Sequence, residues 1–163
     1  MGADRQGTLV STVVRVADLS LETIDGMWAL FSRFYDDIDY NRFRKDLNQK
    51  NHAVICREID SQQVKGFSTI QLYYSEIGNR KSKVLFSGDT IVSPEYWGYK
   101  GLHTAFAKFA FQEWLKAPFT PFYWFLISKG YKTYLMLTRN FVSFWPRHGQ
   151  ATPSAIKNAI SNL

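Results

Sequence analysis

One stretch, residues 83–114, holds the side chains best suited to chemistry. Asp89 stands late in a strand-like segment, beside Gly88 and shortly before a turn, where a carboxylate is a candidate general base. The turn, Trp97-Gly98-Tyr99-Lys100-Gly101, leads into a helix-like segment. Strand, glycine turn and helix in that order aim unpaired main-chain N–H groups at an anion. His103 falls in the first turn of that helix and is either a base or a neighbour of bound phosphate. Each feature has an ordinary alternative: a plain β–α connection, a carboxylate bonded to nearby backbone or a lysine, and a surface histidine.

The segments that would position these groups are legible from periodicity. Val84, Phe86 and Val92 fall on one strand face and Leu85 and Ile91 on the other. Ser93-Pro94 breaks the strand, and Leu102, Ala105, Phe106, Phe109, Ala110 and Trp114 then recur at helical spacing. Upstream, residues 1–7 form a loose polar leader and 8–16 a β-branched strand. Asp18 and Ser20 are candidate caps for a helix lined by Leu21, Ile24, Trp28, Phe31 and Tyr35. Asp36, Asp37 and Asp39 follow, as a cation-binding cluster or a solvated loop. A short helix over 40–49 precedes strands over 51–58, 65–74 and 83–92, spaced as antiparallel hairpins. Gly66 and Gly88 inside them mark bulges or close backbone approach. Residues 122–128, apolar on both sides, read as a central strand covered on both faces. A helix from Tyr131 and a short tail helix after Pro153 complete the order.

The result is an α+β domain over residues 1–163, a mixed sheet with helices on both faces. A β–α–β crossover makes the strands at 84–92 and 122–128 parallel, at least at their start. Composition narrows the function. The net charge of +6 favours anionic partners, yet the basic residues are scattered rather than arrayed along a nucleic-acid groove. Cys56 is alone, and His52, His103 and His148 lack metal-ligand spacing, so no metal is expected. No signal peptide or membrane-spanning run is apparent, which makes the cytoplasm the expected compartment. The aromatic crowd of Phe119, Phe122, Tyr123, Trp124 and Phe125 reads first as core, with an apolar ligand channel or a partner surface as alternatives.

This element order, with Val92-Ser93-Pro94-Glu95-Tyr96-Trp97-Gly98-Tyr99-Lys100-Gly101-Leu102, resembles the GNAT N-acyltransferase superfamily and its V-x-P-x-Y-R-G-x-G-x-G-like signature. The likeness covers residues 8–145 in order and is sharp across 88–106. Val92, Pro94, Tyr96 and Gly98 match; Trp97, Lys100 and Leu102 replace the usual residues. The resemblance implies transfer of an acyl group from a coenzyme A or acyl-carrier-protein thioester to an amine, with a fatty acyl donor preferred. An acyl-phosphopantetheine arm carries a single phosphate and needs less room in this altered turn. Asp89 would be the general base, with His103 nearby, and Tyr134 would protonate the leaving thiolate. Backbone at Ile91 and Val92 would contact the acyl carbonyl and pantetheine. The turn residues Trp97, Gly98, Tyr99, Lys100, Gly101 and Leu102 would form the phosphate loop, with Lys129 and Lys132 adding positive charge. The main-chain amides after Val92 must then stay open, not plugged by Trp97 and Tyr99. The usual final hairpin has too few residues after Arg147; the domain is abbreviated, or a further segment or a second copy in a homodimer completes the sheet. The competing reading is a non-catalytic module that binds acyl carrier or lipid in the same cleft; a nucleic-acid binder rests on charge alone.

Overall fold

A computed structural model describes residues 7–127 and 131–161. β1 (Leu9–Arg15) pairs antiparallel with β2 (His52–Glu58), β2 with β3 (Val64–Ile77), and β3 with β4 (Arg80–Val92). The β3–β4 hairpin turns on Gly78 and Asn79 at φ 59° and 61°, the two-residue turn whose twist suits flanking strands. After β4, a crossover through α3 (Gly101–Leu115) returns the chain to β5 (Phe122–Leu126), parallel to β4. The sheet order is β1-β2-β3-β4-β5. Two helices follow, α4 (Tyr131–Asn140) and α5 (Ser154–Ser161).

Two expectations need correction. β5 is an edge strand, not a central one, since no described strand pairs with its far side. Its run is apolar on both sides because both faces are covered: Trp124 packs on Phe106 of α3 and Phe125 on Phe86 of β4. Alternation of side chains reports covered faces and says nothing of paired edges. The crowded aromatics are likewise only partly core, for Phe119 is 95% exposed. Beyond β5 the described residues add no strand, only an isolated bridge between Arg147 and Gln150.

On one side of the sheet lie α1 (Leu21–Phe31) and α2 (Tyr40–Leu47). Ser20 caps α1 by accepting from the Thr23 amide, and Asp39 caps α2 by accepting from the Arg42 amide at 2.8 Å. That cap accounts for one carboxylate of the acidic cluster, and no group of described residues is arranged to hold a metal ion. Met27, Phe31, Phe43 and Leu47 bury against Ala53, Ile55, Phe67 and Ile91 of the sheet. On the opposite side, Leu102, Phe106 and Phe109 of α3 bury against Val54, Cys56, Ile70 and Leu85. Each such side chain, fully withdrawn from water, contributes about 1.5–3 kcal/mol.

Candidate active site

The β3–β4 ladder is interrupted within β4. Ser68 of β3 pairs with Thr90 and Ile70 with Ser87, so Gly88 and Asp89 together face the single residue Thr69. This is a β-bulge, which bends its strand and sharpens its twist. Gly88 is obligatory in it: a Cβ would fall inside 3.0 Å of Thr69 Oγ1 and 3.3 Å from Lys50 Cε. Parallel pairing between β4 and β5 runs only from Lys83–Phe122 to Ser87–Leu126 and stops at the bulge. The closed end is pinned. Lys83 and Glu113 of α3 form a buried pair at 2.6 Å, and Lys116 adds a second ion pair to Glu113. At the last rung the Trp124 indole donates to Ser87 Oγ at 3.0 Å.

Beyond that rung β4 runs on with no described strand on that side, and a cleft of about 470 Å³ lies beside it at the end of β5. Its walls belong to both sides of the sheet. The α3 side contributes Leu102, His103, Phe106 and Trp124; the α1/α2 side contributes Tyr35, Lys50, Phe86 and Asp89. The bulge places Gly88 and Asp89 on the same side: Gly88 faces Lys50, and the Asp89 charge acts on Tyr35, whose ring stacks on Phe31 of the α1 core at 4.5 Å. Burial, and then the Asp89 carboxylate, raise the pKa of the Tyr35 phenol. Tyr35 therefore keeps its proton and presents it as a donor.

Main-chain groups are offered along the same edge. The Ser93 amide donates to Lys65 O of β3 at 2.8 Å. By the alternation of an antiparallel ladder, the main chain of Thr90 and Val92 then turns toward the gap left by β5. Ile91 is buried in the α1/α2 core and paired with Phe67. The Val92 carbonyl accepts from the Trp97 indole at 2.9 Å.

The turn after β4 holds its shape through side chains that point away from the cleft. Tyr96 Oη donates to Glu58 Oε1 at 2.5 Å. Gly98 has φ +96° with nothing within 4 Å of a would-be Cβ, so its surroundings are open. Tyr99 folds back across Gly101 toward β1, donating to Leu9 O at 3.2 Å and accepting from Ser11 Oγ at 3.1 Å. Trp97 is 71% exposed, and neither it nor Tyr99 lines the cleft, although the Trp97 indole occupies the Val92 carbonyl at the edge of β4. α3 starts without a side-chain cap on its N-terminus, and Lys100 stands exposed beside it. The N–H groups of Gly101, Leu102 and His103 have no partner within the helix.

The sequence-derived candidates are thus brought together in part. Asp89, Leu102 and His103 meet at the cleft, whereas Val92, Gly98 and Lys100 do not line it and Gly101 lines a separate hollow with Tyr99 against β1. Tyr134 of α4 does not line it; its ring lies edge-on to Phe144 at 6.0 Å. Lys129 and the side chain of Lys132 lie outside the described residues. Tyr35 and Lys50 were missed. By periodicity Tyr35 falls on the inner side of a helix that in fact ends at Phe31, and Lys50 carries no local signal as the residue between a helix and a strand.

No protein-family model matches the sequence, and no curated protein matches it either. Solved structures do match. An acetyltransferase of Trypanosoma brucei superposes with TM-score 0.60 at 10% identity, covering 89% of this chain and 100% of that one. Glucosamine-6-phosphate N-acetyltransferase of Arabidopsis thaliana gives 0.57 at 9%, covering 90% and 99%. An aminoglycoside N-acetyltransferase in complex with CoA gives 0.55 at 11%, covering 90% and 99%. With its β1-β2-β3-β4-β5 sheet, parallel fifth strand and helices on both faces, this chain has the fold of the GNAT acetyltransferases.

Proposed function

We propose that the chain is a GNAT-type N-acyltransferase that moves an acyl group from a phosphopantetheine thioester to an amine. One observation carries the reading: the cleft lies beside β4 past its last pairing with β5, with Asp89 on the bulge and the first turn of α3 in its wall. A structural neighbour with the same fold is an N-acetyltransferase in complex with CoA, which supports a thioester donor. The donor arm lies along the open edge of β4 with its phosphate toward Gly98, Lys100 and Gly101. The acceptor enters from the α1/α2 side. Its ammonium gives a proton to Asp89, its nitrogen attacks the thioester carbon, and the C–S bond breaks to leave the amide and a thiolate. Main-chain N–H groups at the bulge receive the oxyanion. The nitrogen's second proton, lost as the tetrahedral intermediate collapses, passes through His103 on the α3 side of the cleft to the thiolate and gives the thiol, while Asp89 releases its proton to water.

The donor's acyl chain is fatty in this reading, supported by the apolar Phe86, Phe106, Trp124 and Leu126 around the cleft. A carrier protein or coenzyme A could present the arm. The test is thiol release from acyl-CoA of graded length, with and without an amine panel. Saturable, amine-dependent release, faster with long chains, is the expected result. Binding without turnover would make the chain a non-catalytic acyl-binding module and sink the proposal; preference for acetyl would remove the fatty donor alone.

A further inference from the structure

The α1/α2 wall of the cleft holds a cation that the transfer chemistry does not use. The Lys50 side chain is only 7% exposed, yet its ammonium meets modest compensation. Asp46 Oδ1 lies at 3.1 Å, Asp46 O at 3.5 Å and the Phe86 ring at 5.7 Å. The Asp46 side chain is half exposed, so water screens its charge. Desolvating an ammonium is costly, and one half-solvated carboxylate offsets only part of that cost. Lys50 also has three N–H donors, and Asp46 accepts from two of them.

A second observation lies in the same place. Thr69, 2% exposed, sits directly behind Gly88, and its hydroxyl has no hydrogen-bond partner. Buried hydroxyls without partners are uncommon, because each forfeits its hydration. The bare backbone of Gly88 thus lies between the Lys50 side chain, which lines the cleft, and the Thr69 hydroxyl buried behind it, with Asp89 as the next residue of the bulge. This side of the cleft therefore has a positive and a negative pole around the point where the acyl carbon must sit.

We infer that the acceptor is an amine that also carries an anionic group, a carboxylate or a phosphate, and that Lys50 binds that group while Asp89 faces the amine. The inference rests on the acyl-transfer reading above. A plain amine matches only the negative pole. An anion on the donor's acyl chain would satisfy Lys50 but leave Asp89 to a separate amine, whereas an acceptor bearing both charges matches both poles.

The test compares amines that differ only in the anion: phenylalanine with phenethylamine, 4-aminobutyrate with butylamine, and phosphoethanolamine with ethanolamine, the last pair separating phosphate from carboxylate. Thiol release from acyl-CoA gives kcat/KM for each. In the wild type the anionic member of at least one pair is expected to exceed its partner by about tenfold, as for a hydrogen bond between charged groups. Lys50→Gln and Lys50→Met should reduce that ratio below about twofold, and Lys50→Arg should restore it. Calorimetric titration of the preferred amine should lose its heat in Lys50→Gln, and thermal melts identify any variant that fails to fold. Equal kcat/KM within every wild-type pair overturns the inference, as does a ratio that survives both Lys50→Gln and Lys50→Met. Amine-dependent release without preference leaves the acyl-transfer reading standing and removes this one; no amine-dependent release removes both.

Discussion

Replacing Gly88 by alanine puts a methyl group into the one position of β4 that has no room for it. The new Cβ would lie inside 3.0 Å of Thr69 Oγ1 and 3.3 Å from Lys50 Cε. Thr69 is held within β3, 2% exposed and registered against Ala53, so it cannot move aside as a surface side chain would. Overpacking of this size costs about 1–3 kcal/mol. At about 2–4 °C per kcal/mol for a chain of this length, Tm should fall by about 2–12 °C. Thermal melts by circular dichroism and urea midpoints measure it. Because the clash is with one hydroxyl, Thr69→Ala in the same chain should recover at least about half of the loss, a coupling between touching sites. Thr69→Ala alone should be nearly neutral, since it removes a methyl-sized group and an unpartnered hydroxyl together. If Gly88→Ala melts with the wild type, or the double variant simply adds the two effects, the bulge is not packed as described and the cleft loses its cause.

Further outcomes follow from the same geometry. Asp89→Asn should lower kcat/KM for amine acylation by about 10²–10⁴-fold with the fold intact, as for loss of a general base; activity within a few-fold of wild type would reassign that role. Glu113→Ala leaves the buried Lys83 ammonium without its carboxylate and should cost about 3–5 kcal/mol in urea denaturation at neutral pH. Burial pushes the Glu113 carboxyl up, but hydrogen bonds from Lys116 and Lys83 outweigh it and hold the pKa below 4.5. A depressed pKa gives stability that is complete above the unfolded value and lost as pH falls through the lower folded one. Urea midpoints should therefore decline as pH drops below 4.5, and decline less steeply in Glu113→Gln; identical pH profiles would contradict the pairing.

What could be read before any coordinates was carried by short-range pattern. Alternation over two residues and recurrence over three or four marked the hairpins and α3, and Gly88 stood out because glycine inside a strand signals a local backbone need. Asp89 and His103 were found for the same reason, since both lie within a few residues of that signal. The parallel pairing of β4 with β5 follows from the crossover, whereas its last rung, Ser87 with Leu126, is set by the assembled sheet.

Other features required the assembled molecule. Tyr35 comes to Asp89 across 54 residues and Lys50 to Gly88 across 38, contacts decided by how α1 and α2 sit on the sheet and invisible to local periodicity. Tyr99 looked like part of an anion cradle, yet its hydroxyl finds Leu9 and Ser11 on β1, and that distant partner turns the ring out of the loop. The sequence alone determined which segments are strands and helices, because each depends on near neighbours. Which side chains share the cleft was decided by packing, because a lysine, a tyrosine and a carboxylate become neighbours only when two cores clamp the sheet from opposite faces.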